Sequence, residues 1–221
     1  MTGTDALTAS YSAVAERYAA EIGDELATKP IDRALYAAFA ELVRPVARPD
    51  RSVADVGCGP GHVTAHLAEL GLPMVGIDAA PGMIEVARRR YAELPFEVGV
   101  FDKLPVADGG WAGVVAAYSL IHLDRDGRRR AFAELHRAIA AGGWLLAGFH
   151  VSDAEHSTGA VERVRSWWDI EVDLDFRFLD PVEVGVDLAA AGFTVMSRTD
   201  REPWPRVEHP SRRSYLLACR G

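Results

Sequence analysis

The chain has 221 residues and a mass of 24.0 kDa, enough for one domain whose core needs no staples. Hydrophobic residues make up 49% and charged residues 25%, which excludes disordered and fibrous architectures, and two distant cysteines, Cys58 and Cys219, exclude a disulfide scaffold or a multi-cysteine metal centre. A formal charge of −8 repels a phosphate backbone, so nucleic acid is not an expected partner.

In chain order, two helices come first. Ser10–Ala20 interleaves Tyr11, Val14 and Tyr18, and Ile31–Val46 puts Phe39, Leu42, Val43 and Val46 on one stripe. Pro30 suits a first turn, and Pro45 with Pro49 stops the second helix. From Arg51 the period changes. SVADV (52–56) reads as a strand, His62–Leu70 as a helix, PMVGID (73–78) as a strand, Pro81–Glu93 as a helix and FEVGV (96–100) as a strand. After a DGG turn, WAGVVAAYSL (111–120) is a strand apolar on both faces. Arg125–Ala140 is a helix ended by Gly142-Gly143, and WLLAGFH (144–150) is another buried strand. Continuous apolar strands separated by helices predict a parallel sheet covered on both faces. Pro181–Ala191 reads as a helix, and FTVMSRT (193–199) and SYLLACR (214–220) as strands.

Residues 150–180 interrupt that rhythm with Trp167-Trp168 and eight acidic against three basic residues. An insertion of this length at a strand end is expected to be a lid or irregular packing, its tryptophans core, and its acidity favours a neutral or cationic substrate. No repeat or linker occurs, so the division is one domain, 1–221: a helical cap (1–48), a ligand-binding core (49–150), the insertion (151–180) and a C-terminal helix with two strands (181–221).

The most informative stretch is Asp55-Val56-Gly57-Cys58-Gly59-Pro60-Gly61, after a predicted strand and before a predicted helix. Glycines let the main chain turn sharply and offer its N–H groups to a ligand, with the helix N-terminus behind them. Asp78 ends the next strand 21 positions after Gly57, and parallel order sets it beside the loop, where a carboxylate accepts both hydroxyls of a ribose. A dinucleotide enzyme shares this outline, but its fingerprint is G-x-G-x-x-G. The run here is D-x-G-x-G-x-G.

That run resembles the first motif of class I S-adenosylmethionine-dependent methyltransferases, and further segments agree in order. Asp78-Ala79-Ala80-Pro81-Gly82-Met83 is similar to the family's segment after strand two. Gly99-Val100-Phe101-Asp102-Lys103-Leu104 is similar to its adenine-framing loop, Trp111–Leu123 to strand four and its exit, and Ala141–Leu146 to the turn into strand five. The resemblance covers about residues 50–150. It implies a Rossmann-like α/β fold, a seven-stranded mostly parallel sheet of order 3-2-1-4-5-7-6 with the last strand antiparallel. It implies S-adenosylmethionine as cofactor, S-adenosylhomocysteine as product, and a cofactor site of Asp55, Gly57, Gly59, Gly61, Asp78, Ala79, Met83, Phe101, Asp102 and Leu104. Tyr11 and Tyr18 stand where the family's N-terminal helix closes over the cofactor, and Tyr118 where the methionine end lies. Two positions depart from the pattern: Ala80 stands for a frequent serine and Val100 for an acid, so Asp102 or the Phe101 backbone is left to meet the adenine amino group.

The methyl of a sulfonium is already activated, so the protein's task is to align a nucleophile and exclude water. His122, past strand four, and His150, ending strand five, are the base candidates for a hydroxyl nucleophile, with His156 behind them. His62 and His66, at i, i+4, lack a third ligand for a metal; Arg88–Arg90 and Arg128–Arg130 read as solvated faces, Cys58 as a small loop residue and Cys219 as inert. The expected activity is methyl transfer to O or N of a small molecule. A non-methylating S-adenosylmethionine binder of the same fold and a nicotinamide-dependent oxidoreductase are the alternatives. The start MTGTDALTAS lacks a signal-peptide pattern and Trp111–Leu123 is too short to span a bilayer. With 22 Arg against two Lys, the expectation is a cytoplasmic bacterial protein, monomer or homodimer, with no membrane partner.

Overall fold

The structure, a computed structural model, describes residues 3–221, with the backbone alone at residues 3 and 4; the first two residues of the expected cap lie outside the described residues. Two helices come first, α1 (Gly3–Ile22) and α2 (Pro30–Val43), joined through a short 3-10 turn, Glu25–Thr28. The α/β core follows: β1 (Val53–Val56), α3 (His62–Glu69), β2 (Met74–Asp78), α4 (Pro81–Arg90), β3 (Phe96–Val98), β4 (Trp111–Ala117), α5 (Arg125–Ala138) and β5 (Ile139–Ser152). A hairpin, β6 (Val161–Trp167) and β7 (Ile170–Arg177), precedes α6 (Pro181–Ala190), β8 (Phe193–Arg201) and β9 (Arg212–Arg220).

Seven strands form one sheet in the order β3-β2-β1-β4-β5-β9-β8. The first five pair in parallel, while β9 runs antiparallel to both β5 and β8. With the hairpin set aside this is the order 3-2-1-4-5-7-6. The central strands are apolar on both sides because both sides are covered. On one face Phe132, Leu135, Val184 and Leu188 of α5 and α6 pack on Val114, Ala116, Leu145 and Ala147. On the other, Phe39, Val43, Val63 and Leu67 of α2 and α3 pack on Val53, Val115 and Leu146.

Two of the differences from the sequence reading have plain physical reasons. Gly142-Gly143 does not end a helix reaching Ala140; α5 stops at Ala138 and the glycines lie in β5. There β5 bulges against β4 between the pairs Trp111–Ile139 and Gly113–Trp144. Gly142 has φ +74°, and a Cβ on Gly143 would meet the Ala112 carbonyl at 2.4 Å, so glycine is required by the strand rather than by a helix stop. The insertion is an ordered antiparallel hairpin. Its two-residue turn, Trp168-Asp169, has positive φ at both positions, +53° and +63°. That is the geometry that suits the twist of a hairpin, reached without the asparagine–glycine pair that usually marks it.

The hairpin docks on α1 rather than on the sheet. Val172 and Leu174 are buried against Val14 and Ala15, and the Asp173 N–H donates to the Ser10 hydroxyl at 2.8 Å. Trp167 and Trp168 stack at 4.5 Å and meet Tyr18 edge-on. On its other side α1 approaches α4 so closely that a Cβ on Gly82 would lie 2.7 Å from Ser12 Cα. Helix α1 and the hairpin therefore form one cover over the carboxyl ends of β1, β2 and β4. Phe132 is fully buried in the α5 layer, and Phe132→Ala is expected to cost about 3–5 kcal/mol, read as a lower urea midpoint at unchanged m-value.

Candidate active site

Beneath that cover lies a cavity of about 930 Å³, at the point where the strand order reverses between β1 and β4. Open α/β sheets bind their ligands at such a switch point. The loop after β1 forms its floor. Gly57, Gly59 and Gly61 all take positive φ, +82°, +53° and +88°, and the Gly57 and Cys58 N–H groups both donate to the Ile77 carbonyl, at 2.7 and 3.0 Å. A Cβ on Gly57 would collide with Ser119 Cβ at 2.1 Å, whereas one on Gly59 would enter open space with Tyr18 Cε1 at 3.9 Å. The floor is bare main chain at Gly59, and it faces the cavity.

Asp78, the last residue of β2, ties this loop to the next helix. Its Oδ2 accepts from the Gly59 N–H at 2.9 Å and its Oδ1 from the Ala80 N–H at 2.8 Å. Burial raises its carboxyl above the ordinary range, opposed by those hydrogen bonds. Each oxygen keeps a second lone pair for a ligand hydroxyl. Asp55 is buried deeper and accepts from the Thr64 hydroxyl at 2.7 Å; desolvation pushes its carboxyl up to about 6.

Across the cavity three segments meet at His122. Its Nδ1 lies 3.0 Å from the Asp175 carbonyl in β7 and its Nε2 lies 2.7 Å from the Tyr11 hydroxyl in α1. A carbonyl only accepts, so Nδ1 carries the proton, Nε2 accepts, and the tyrosine donates. Burial holds the imidazole neutral, its pKa lowered to about 4. Phe176 meets the ring edge-on at 4.9 Å.

Of the residues singled out from sequence, Tyr11, Tyr18, Asp55, Gly57, Gly59, Asp78, Ala79, Met83, Phe101, Asp102, Tyr118 and His122 line this one cavity. Three do not. Leu104 is buried in the α5-side core. Gly61 turns away, and a Cβ there would meet the Phe96 ring at 2.8 Å, so this glycine serves the packing of α3 on the sheet. His150 sits behind Tyr118, its Nδ1 2.6 Å from the Ser211 hydroxyl. His156 stacks on Phe178 and pairs with Asp153. The insertion's acidity does not carry into the cavity either: all three of its arginines line it, with only Asp173 and Asp175 of its eight acids. Its surplus of acids is therefore no guide to substrate charge.

Sequence reasoning missed Glu25, Tyr36, His62 and Ser119, which line the same space. His62 opens α3 directly after the glycine loop, and that position was the available signal. Its Nε2 lies 3.4 Å from Glu25 rather than serving a metal with His66.

A family model described as a methyltransferase domain matches residues 53–143, which run from β1 to the start of β5. The core of the chain is therefore similar to methyltransferase domains. An uncharacterised methyltransferase of Mycobacterium bovis is 32% identical over 77% of this chain and 65% of its own length. A demethylmenaquinone methyltransferase of Renibacterium salmoninarum is 31% identical over 50% of this chain and 44% of its own length. The curated relatives are matched over 37–65% of their lengths. The solved complex of DhpI with SAH shares the fold over 99% of this chain and 97% of that one, with a TM-score of 0.70 at 24% identity. The cavity would suit S-adenosylmethionine: the open main chain at Gly59 leaves room that a side chain would fill, and Asp78 presents acceptors beside it.

Behind Tyr118 the protein carries a buried ionic cluster. Glu208 meets Lys29 at 3.2 Å, Arg213 at 3.1 Å and Arg201, and Arg201 pairs with Asp32 at 2.8 Å. Burial opposes the charge on Glu208, but the Arg201 hydrogen bond and its other partners prevail and lower its pKa from 4.5 to about 2. Removing that charge leaves Arg213 without a carboxylate and takes one of two from Lys29 and from Arg201, so Glu208→Gln is expected to destabilise by about 3–5 kcal/mol. Because the folded pKa is depressed, the group's stabilisation is present above pH 4.5 and lost as pH falls towards 2. Urea midpoints measured across that window should fall steeply in the parent protein and less in the variant.

Proposed function

We propose that this protein is an enzyme that transfers the methyl group of S-adenosylmethionine to an oxygen or nitrogen of a small molecule. The observation that carries the reading is that one covered cavity brings together the bare glycine loop, Asp78 and a neutral histidine with its Nε2 turned inward. When bound, the cofactor supplies a methyl group on a positively charged sulfur.

The chain's own residues do the rest. The Gly57–Gly59 main chain carries the ligand, and Asp78 accepts from the ribose hydroxyls while its Gly59 and Ala80 bonds hold it in place. Met83, Phe101 and Asp102, which line the cavity with Asp78, would hold the adenine, and Tyr18 and Tyr118 would face the sulfur. Aromatic faces there attract a sulfonium. Helix α1 and the hairpin exclude water. His122 accepts the nucleophile's proton at Nε2, directly or through the Tyr11 hydroxyl, and the Asp175 carbonyl stabilises the imidazolium through Nδ1–H. Tyr11 thus belongs to the proton path as well as to the cover.

Asp78→Ala removes an acceptor charge from two hydroxyls and is expected to weaken S-adenosylhomocysteine by roughly 10–100-fold, about 1.5–3 kcal/mol, in isothermal titration. Equal affinity of variant and parent overturns this placement, and tight binding of NADH with none of S-adenosylhomocysteine overturns the reading. Screening nucleophile libraries for S-adenosylhomocysteine release, with methylated product by mass spectrometry, tests turnover; binding without product favours a non-methylating protein. With a substrate found, His122 must be unprotonated to act, so kcat should hold from pH 8 to 5 and fall only towards pH 4, rather than near 6.5 as for a solvated histidine.

A further inference from the structure

We propose that Glu25, held by Lys29 and His62, takes the ammonium group of the cofactor's amino-acid end and selects ligands that carry it. The proposal rests on S-adenosylmethionine as the cavity's ligand. Two groups of residues line the cavity around the glycine loop: Asp78, Ala79, Met83 and Phe101 come from the end of β2, α4 and the loop after β3, and Glu25, Tyr36, His62 and Val63 from the 3-10 turn, α2 and α3. A ligand with its ribose at Asp78 and its base among the first group would reach the second with its amino-acid arm, past Gly57. Tyr18 bridges the two ends, since its phenol feels the carboxylates of both Glu25 and Asp78.

The charges at that second end suit a cation. Among the described residues four arginines line the cavity, Arg130, Arg163, Arg165 and Arg177, and all belong to α5 and the hairpin rather than to the elements that carry Glu25 and His62. Lys29 approaches Glu25 Oε2 at 2.6 Å from behind the wall, its side chain only 3% exposed, and shares its charge with Glu208. Burial opposes ionisation of Glu25, but the His62 bond and Lys29 outweigh it, and the carboxyl lies below its usual range. His62 stands 3.4 Å from Oε1, at the outer limit of a hydrogen bond, which leaves that oxygen able to accept a shorter, charged donor.

The test is a cycle between protein and ligand, read by isothermal titration. S-adenosylhomocysteine is compared with 5′-(3-carboxypropyl)thioadenosine, which lacks only the amino group, on the parent protein and on Glu25→Gln. Lys29 keeps Glu208 in the variant, so no buried cation is stranded. The parent should prefer S-adenosylhomocysteine by roughly 10–100-fold, as for a hydrogen bond to a charged group. In Glu25→Gln that preference should shrink to roughly threefold or less, because the two changes remove the same contact. A preference unchanged by the substitution overturns the proposal, and so does an equal loss for both ligands, the mark of a purely structural role. A parent that discriminates not at all also overturns it while leaving the cofactor reading intact. A parent that binds neither ligand overturns both.

Discussion

The Asp78 carboxylate is the joint on which the site depends. It accepts one N–H from the loop after β1 and one from the start of α4, so two loops from neighbouring strands are locked at one separation. Parallel pairing makes this possible: Val56 lies opposite Ile77, and the residues that follow each strand emerge side by side. The three positive-φ glycines then have different tasks. Gly57 must pass beneath Ser119, Gly59 must leave space above itself, and Gly61 must clear the Phe96 ring. A side chain fails at each position for a separate steric reason, so the motif is dense in glycine because several close approaches coincide.

The polar cluster behind Tyr118 complements this joint from the far side of the cavity. Lys29, Arg201 and Arg213 face Glu25, Asp32 and Glu208, three cations against three anions. Buried ion pairs repay little of their desolvation, so their net contribution to stability is small, while their geometric demand is high. They join the start of α2, the end of β8 and the start of β9. Tyr118 is fixed against them through Tyr215, whose hydroxyl donates to Asp32, and Arg213 lies over the Tyr118 ring. Tyr118 is itself a non-glycine residue at φ +57°, a conformation that persists only where surroundings over-determine it.

The sheet and the glycine loop were legible because their signals are local: alternating apolar runs and helices, glycines spaced along five residues, and an acid one strand later. Residues brought from separate segments were not. Glu25 sits in a short 3-10 turn with no periodicity to mark it, and its partner His62 invited comparison with His66 on the same helix rather than with a residue 37 positions upstream. The hairpin was hidden for another reason. Its turn uses Trp168 and Asp169 at positive φ, and the stacked tryptophans supply through packing on α1 what asparagine and glycine supply through backbone freedom. Counting acids in that segment misled because a strand sends alternate residues to opposite faces. The cavity sees Arg163, Arg165, Asp173, Asp175 and Arg177, all at odd positions.

The cover and the surroundings of His122 are one arrangement. Helix α1 places the Tyr11 hydroxyl on His122 Nε2, and the hairpin places the Asp175 carbonyl on Nδ1. The imidazole is thus oriented and desolvated by both parts of the cover, and that desolvation keeps it neutral at neutral pH. A neutral hydrogen bond nets about 1 kcal/mol, so a substrate hydroxyl that takes the place of Tyr11 on Nε2 exchanges one such bond for another at little cost. Burial also raises the pKa of the Tyr11 phenol, so the tyrosine keeps its proton and remains a donor until a better one arrives. An open cover would leave the histidine hydrated, with a pKa nearer 6.5 and a ring free to turn. Water exclusion and the orientation of the His122 ring therefore follow from the same packing of α1 against β7.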